Sequence, residues 1–336
     1  MGIKDIANKL GVSTATVSRA LNDRPGVSQE LRDKILALAN EEGYVPNLYG
    51  RGLATSNSQT IGFVVNRSTD TFWEDPFYPL IMAGAEDFLS KNGYHILVNT
   101  INNHTTQLDQ LAVIKNDGFV DGLILAGPFI PASLITRLAV SRFPFVLVDN
   151  CLTQKAVNCV LSDDERGAYE ATCHLIWHGH RRIAFLSGPT EWASNRERMR
   201  GYRRAMEEIG IEPLILCGKE TTLKSGAELM EQALNKWSNL TAVSAANDSM
   251  AIGAMREANK MGRKVPSDLA VMGFDDISLA SVNQPRLSTM RIFKQRIGYI
   301  AAECLVANIN DPNLPPTKTL VSTELVVRES CGCQVE

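Results

Sequence analysis

No apolar run in the 336-residue chain approaches the roughly 20 residues that span a bilayer. Nor does Met1-Gly2-Ile3-Lys4-Asp5 open with the basic and apolar regions of a secretory leader. No membrane partner is expected, and a cytoplasmic location is. Strong charge is missing too: 34 Lys and Arg against 37 Asp and Glu leave a net of −3, which alone argues for no polyanionic partner. The seven cysteines are odd in number and irregularly spaced, so reduced thiols fit better than a disulfide framework. The one close pair, Cys331-Gly332-Cys333, has neither the gap of a redox motif nor the spacing of a zinc ribbon and reads as a loose tail. A Walker loop, a glycine-rich dinucleotide fingerprint and a Gly-x-Ser-x-Gly elbow are all absent. No enzyme, catalytic residue or cofactor is therefore expected.

What is present begins at the N-terminus. Ile6, Ala7 and Leu10 recur at helical spacing, as do Val17, Ala20 and Leu21, with Gly11 at a sharp bend between them. Ser13 is placed to cap the second helix, and Thr14, Ala15, Thr16, Ser18 and Arg19 are left on its outer face. A helix held this way has the geometry to enter a DNA major groove. Ser28 caps a third helix with Leu31, Ile35, Leu38 and Ala39 inside. Residues 1–56 carry seven basic against six acidic side chains, so placement matters more than sum: Arg19, Arg24, Lys34 and Arg51 can face a duplex. Gly43-Tyr44-Val45-Pro46 ends the third helix, and 47–59 has the composition of a linker.

From Ile61 the chain changes to an α/β rhythm. Short apolar runs at Ile61–Val65, Ile96–Val98, Gly122–Leu125 and Phe145–Val148 alternate with helical patterns near 79–91, 105–116 and 131–140. A second set follows at Ile183–Leu186, Leu214–Leu216, Thr241–Ala245 and Leu269–Gly273, with helices near 164–177, 196–209, 223–236 and 249–261. Continuous apolar runs suit parallel strands covered on both faces, so two doubly wound parallel-sheet subdomains are predicted. Ligands in such folds sit at the carboxyl ends of strands, here in the cleft between subdomains.

The run Val12-Ser13-Thr14-Ala15-Thr16-Val17-Ser18-Arg19-Ala20-Leu21-Asn22 resembles the headpiece of LacI/GalR transcriptional repressors. Tyr44-Val45-Pro46-Asn47 with Arg51-Gly52-Leu53 resembles that family's hinge, and Gly179-His180-Arg181-Arg182-Ile183-Ala184-Phe185 an internal strand entry. Asn247-Asp248-Ser249-Met250-Ala251-Ile252-Gly253-Ala254 and Gly273-Phe274-Asp275-Asp276 resemble effector-pocket segments, and Leu325-Val326-Val327-Arg328-Glu329-Ser330 the last strand. The motifs occur in the family's order along nearly the whole chain. The resemblance implies a helix-turn-helix headpiece at 1–46, a hinge at 47–59 and a periplasmic-binding-protein-like core at 60–336. Within the core, subdomain one would hold about 60–161 and 291–322, and subdomain two about 162–290 and 323–330, with three crossings between them.

The resemblance also implies site residues. Thr14 and Ala15 would choose the operator, Arg19 could grip guanine, and Ser13, Thr16, Ser18 and Asn22 would hold phosphates. Leu53 would wedge into the minor groove or, failing that, pack on Leu48 or Tyr49. Gly50 and Gly52 each cost roughly 1 kcal/mol of helix stability relative to alanine, so a hinge unfolded away from DNA is expected. For a sugar effector, Asp275, Asn247, Arg198 and Asp149 would meet hydroxyls, and Phe77, Tyr78 or Trp192 would stack. Asn247 and Asp275 could instead cap helices, and Arg198 could pair with Glu197 or Glu191. His174 and His178, four apart on a helix, have spacing that suits zinc, but no third ligand is apparent, so no metal is expected. Asp163, Asp164 and Glu165 read as a helix start.

These expectations converge on a homodimeric repressor that binds double-stranded operator DNA under control of a small sugar. Six residues after Ser330 are too few for a heptad bundle, so a dimer is the expected assembly. The alternative, a stand-alone sugar receptor without DNA function, leaves the first 46 residues unexplained.

Overall fold

A computed structural model describes residues 2–21, 24–44, 58–66, 77–101, 119–128, 130–152 and 155–333. The described residues up to Gln59 belong, with Phe119, to one unit, and the other described residues from Thr60 on form a second. Asn22, Leu53 and nearly all of the linker lie outside the described residues, as does the helix expected near 105–116.

The first unit holds helices α1 (Ile3–Leu10), α2 (Thr14–Leu21) and α3 (Gln29–Glu41). Gly11 ends α1 in the left-handed region, φ 65°, where a Cβ would be strained. Both sequence-predicted caps are in place: Ser13 Oγ accepts from the Thr16 N–H at 3.1 Å and Ser28 Oγ from the Leu31 N–H at 3.4 Å. Ile6, Val17 and Ile35 are fully buried, with Ala7, Ala20 and Ala39 between them. This core is small, so it fixes three helices with few side chains. Lys9 pairs with Glu42 across its edge.

The second unit runs β1 (Thr60–Asn66), α4 (Phe77–Lys91), β2 (His95–Ile101), β3 (Gly122–Ala126), α5 (Ala132–Val140), β4 (Phe145–Val148) and β5 (Cys159–Ser162). It continues with α6 (Asp164–Trp177), β6 (Ile183–Ser187), α7 (Ala193–Glu208), β7 (Leu214–Cys217), α8 (Leu223–Lys236), β8 (Ala242–Ala245), α9 (Asp248–Lys260), β9 (Ala270–Asp275), α10 (Ser278–Val282) and β10 (Ser288–Arg291). Last come α11 (Lys294–Asn310), β11 (Lys318–Val321) and β12 (Glu324–Val326).

Two six-stranded sheets result, ordered β11-β5-β4-β3-β1-β2 and β12-β10-β9-β8-β6-β7. The first sheet is parallel throughout, and in the second only β12 runs antiparallel, against β10. The chain therefore passes between sheets after β5, after β10 and after β11, the three crossings that the resemblance implies. β3, β4, β6 and β9 are buried along their whole length, as strands covered on both faces should be. β2 departs from that expectation because it is an edge strand, leaving Leu97 and Val98 40% and 42% exposed.

Glycine sets the spacing of three helix pairs. A Cβ on Gly298 of α11 would stand 1.8 Å from the Ile81 carbonyl oxygen of α4, and one on Gly226 of α8 2.1 Å from the Met250 oxygen of α9. On Gly201 of α7 it would stand 2.0 Å from the Glu165 oxygen of α6. Backbone thus packs on backbone, and the first turn of α6 is drawn onto α7. The loose tail expected at Cys331-Gly332-Cys333 is not observed. Ser330 Oγ donates to the Val271 carbonyl at 2.7 Å and accepts from the Ser288 N–H at 2.8 Å, leaving Ser330 and Cys331 buried.

Candidate functional site

Three aspartates follow or close the carboxyl ends of strands with positive φ: Asp149 at 53°, Asp275 at 107° and Asp276 at 53°. Non-glycine residues held there cost of order 1–3 kcal/mol each and mark sites where placement matters more than ease. Asp149 ends the β4 run in the first sheet, and Asp275 closes β9 in the second.

Between them sits Arg198 of α7, only 5% exposed. Its Nε donates to Asp164 Oδ1 at 2.7 Å, its Nη1 donates to the Ala246 carbonyl and lies 3.2 Å from Asp275 Oδ1, and its plane covers the Phe274 ring at 3.9 Å. Burial pulls the pKa of this guanidinium down, but Asp164 and Asp275 outweigh it and raise it above its ordinary range. The same burial raises the Asp164 carboxyl from its ordinary value, against the pull of Arg198.

Asp149 faces this group from the other sheet. Burial and the like charge of Asp164 push its carboxyl up to about 7, although Arg198 and a 2.9 Å hydrogen bond from the Tyr78 hydroxyl oppose the shift. Tyr78 packs edge-on to Phe77 at 5.1 Å, and Gly127 leaves it room, since a Cβ there would meet the hydroxyl at 2.9 Å. Lys294, at the start of α11, closes the circuit: its Nζ lies 5.7 Å from the Phe77 ring centroid and donates to the Asp275 carbonyl. Asp276 anchors that corner. Burial pushes its carboxyl up, but Arg291 and Arg328, each at 2.7 Å, hold it below its ordinary value.

Of the six expected effector residues, Phe77, Asp149, Arg198 and Asp275 thus belong to one connected polar and aromatic group. Asn247 is placed differently. Its side-chain oxygen caps α9 by accepting from the Met250 N–H at 2.9 Å, and its amide donates to the Thr221 carbonyl at 3.0 Å. The cap reading holds for this residue, one residue from the Ala246 carbonyl that receives Arg198. Trp192 precedes α7, half-buried, six residues before Arg198. Arg198 pairs with neither Glu197 nor Glu191.

Sequence reasoning missed Asp164, Lys294 and Asp248. Asp164 reads as one more acid at a helix start, the task that Asp163 performs by accepting from the Arg166 N–H at 3.4 Å. Asp248 is fully buried, which raises it well above the carboxylate range, with Asp275 adding to the shift; it accepts from Thr289 Oγ1 and, at 2.8 Å, from the Ile277 N–H. It ties β9 to β10, and Gly273 leaves the space it fills. The available signal was its place one residue beyond a strand-ending Asn. Lys294 lies 19 residues from Asp275, and no local pattern marks it.

In the first unit, α2 buries Val17 and Ala20 and leaves Thr14, Ala15 and Arg19 exposed, with Thr16 and Ser18 half-buried. Ser13 and Thr16 also approach each other, hydroxyl to hydroxyl, at 2.9 Å. Arg32 is turned inward, donating to the Arg24 carbonyl at 2.8 Å, and Lys34 pairs with Glu30 at 2.7 Å. Arg19 is left as the exposed cation of α2.

Residues 2–47 match the family described as bacterial regulatory proteins, lacI family, and residues 172–331 match a periplasmic binding protein-like domain. The chain is 32% identical to the ribose operon repressor of Haemophilus influenzae and 34% identical to the transcriptional repressor PurR of Photobacterium profundum, in both cases over 98% of each chain. It superposes on the lac repressor dimer bound to operator and an anti-inducer with TM-score 0.86 and 27% identity, covering 98% of this chain and 99% of that one. With a transcriptional regulator CelR–cellobiose complex the TM-score is 0.77 and the identity 30%, over the same shares. No helix of the described residues is long and apolar enough to cross a membrane.

Proposed function

The chain belongs to the lacI family of bacterial regulatory proteins, a family of DNA-binding transcriptional regulators, and we propose that its operator affinity is set by a sugar held in the group around Arg198. The observation that carries this reading is Arg198 itself. A guanidinium buried at strand ends, between Asp164 and Asp275 and opposite a carboxyl from the other sheet, is a set of donors and acceptors of the kind that sugar hydroxyls require. Phe77 and Tyr78 add the aromatic surface that a sugar's C–H face requires. A phosphorylated effector would need more cations than Arg198, already engaged by Asp164 and Asp275, and Lys294, whose ammonium donates to the Asp275 backbone carbonyl.

The regulator acts as a homodimer in the cytoplasm, where the operator is. Two copies of α2 enter successive major grooves, with Thr14, Ala15 and Arg19 toward base edges and Ser13, Thr16, Ser18 and Asn22 toward phosphates. The paired Leu53 side chains wedge the minor groove at the operator centre. Sugar bridging Asp149 to Arg198 and Asp275 changes the separation of the two sheets, and with it the free energy of ordering the hinges on DNA. Such coupling is typically about 1–3 kcal/mol, or roughly 5–150-fold in affinity.

The test is fluorescence anisotropy on the promoter duplex neighbouring the gene, with and without a panel of pentoses, hexoses and disaccharides. One sugar should shift the affinity within that range. Asp275→Ala should keep operator binding and lose the response. The same operator affinity at every sugar tested overturns the effector site, and no preference for the promoter over random duplex overturns the DNA reading.

A further inference from the structure

We propose that His174, His178 and Cys333 form a binding site for a zinc-class divalent ion, clamping the last turn of α6 to the segment that follows β12. Among the described residues these three have their ligand atoms within 4.8 Å of one another. Cys333 Sγ lies 3.3 Å from His174 Nε2, and the two imidazoles are 4.7 Å apart, centroid to centroid, at 62°. In tetrahedral zinc sites with Zn–N of about 2.0–2.1 Å and Zn–S of about 2.3 Å, neighbouring ligand atoms are separated by roughly 3.3–3.8 Å. The most widely separated of the three ligand atoms need to close by up to about 1.5 Å to reach that geometry.

The thiol is delivered by fold and not by chance. Ser330 is bonded to Val271 and Ser288, and Cys331 Sγ accepts from Ser288 Oγ at 3.1 Å, so the chain is fixed two residues before Cys333. Gly332, at φ 78°, then makes a reversal that a side chain would strain. A plain thiol–imidazole hydrogen bond would occupy His174 alone. His178 makes ring contacts with His174 and with Trp177, at 5.1 Å, but its ring makes no hydrogen bond with a described residue. Its placement one turn along the same helix face is explained by a shared ion.

Nitrogen and thiolate donors select zinc and its neighbours over magnesium or calcium. Binding breaks the Cys333 S–H bond, and one proton passes to the buffer per ion bound. The two imidazoles coordinate neutral, water takes the fourth corner, and no oxidant is involved.

The test is cobalt(II) titration of the full-length protein after chelator treatment and desalting. Wild type should develop thiolate-to-cobalt charge-transfer and tetrahedral d–d bands that saturate at one ion per chain and bleach on adding zinc. Cys333→Ser should lose the charge-transfer band, and His178→Gln should weaken zinc binding by more than about a hundredfold, beyond what outer-shell substitutions reach. The exposed Cys217 serves as control, and Cys217→Ser should bind as wild type does. Retained operator binding establishes that each variant is folded. Absence of the band in wild type, its persistence in folded Cys333→Ser, or its loss in Cys331→Ser alone overturns the assignment.

Discussion

Arg198 Nε donates to Asp164 Oδ1 at 2.7 Å, and both side chains are more than nine-tenths buried. They are brought together because Gly201 lets α7 touch the first turn of α6. Breaking a buried pair by removing one partner typically costs about 3–5 kcal/mol, because the other charge is stranded. Asp164→Ala should therefore lower the unfolding free energy, read by urea denaturation, by an amount near the lower end of that range, since Asp275 and the Ala246 carbonyl remain. Arg198→Met in that background should recover part of the loss. A midpoint unchanged in Asp164→Ala would show the pair to be energetically idle.

Asp149 carries a pH dependence with a definite sign. Its folded pKa is about 7, against an ordinary 3.8. The folded state thus holds an extra proton between those values, and the stability it contributes is complete below 3.8 and lost as pH rises through 7. Sugar hydroxyls that donate to Asp149 favour its ionised form, so binding should release a proton near neutrality and be tighter at pH 8 than at pH 6. Calorimetry in buffers of different ionisation enthalpy reads this directly. Asp149→Asn should abolish the proton release.

Arg19 is the exposed cation of α2, and its effect should be on discrimination. Arg19→Ala should reduce the preference for operator over random duplex by about 1–3 kcal/mol without altering sugar affinity. Equal losses on both duplexes would reassign Arg19 to phosphate.

At Gly298 the prediction concerns backbone packing. Gly298→Ala places a Cβ 1.8 Å from the Ile81 carbonyl oxygen, so α4 and α11 must separate. Overpacking of this kind typically costs 1–3 kcal/mol, and because α11 begins at Lys294, sugar affinity should fall with stability. Denaturation and calorimetry on the same variant would measure both. A variant as stable as wild type would show that the helix pair is not set by the missing Cβ.

The sequence alone determined most of the elements, though not β5, β10, α11 or β11. Helical spacing around Gly11, the caps at Ser13 and Ser28, and continuous apolar runs are local patterns, and local backbone preference and burial produce helices and strands wherever those patterns stand. Asp149 and Asp275 were legible for the same reason, as polar residues ending apolar strands. Tertiary structure alone decided who meets whom. Asp164 stands 34 residues from Arg198, Lys294 stands 19 from Asp275, and Cys333 stands 159 from His174. Their encounters depend on crossings between sheets and on glycine-set helix spacing, and no periodicity in the chain encodes a distance through space.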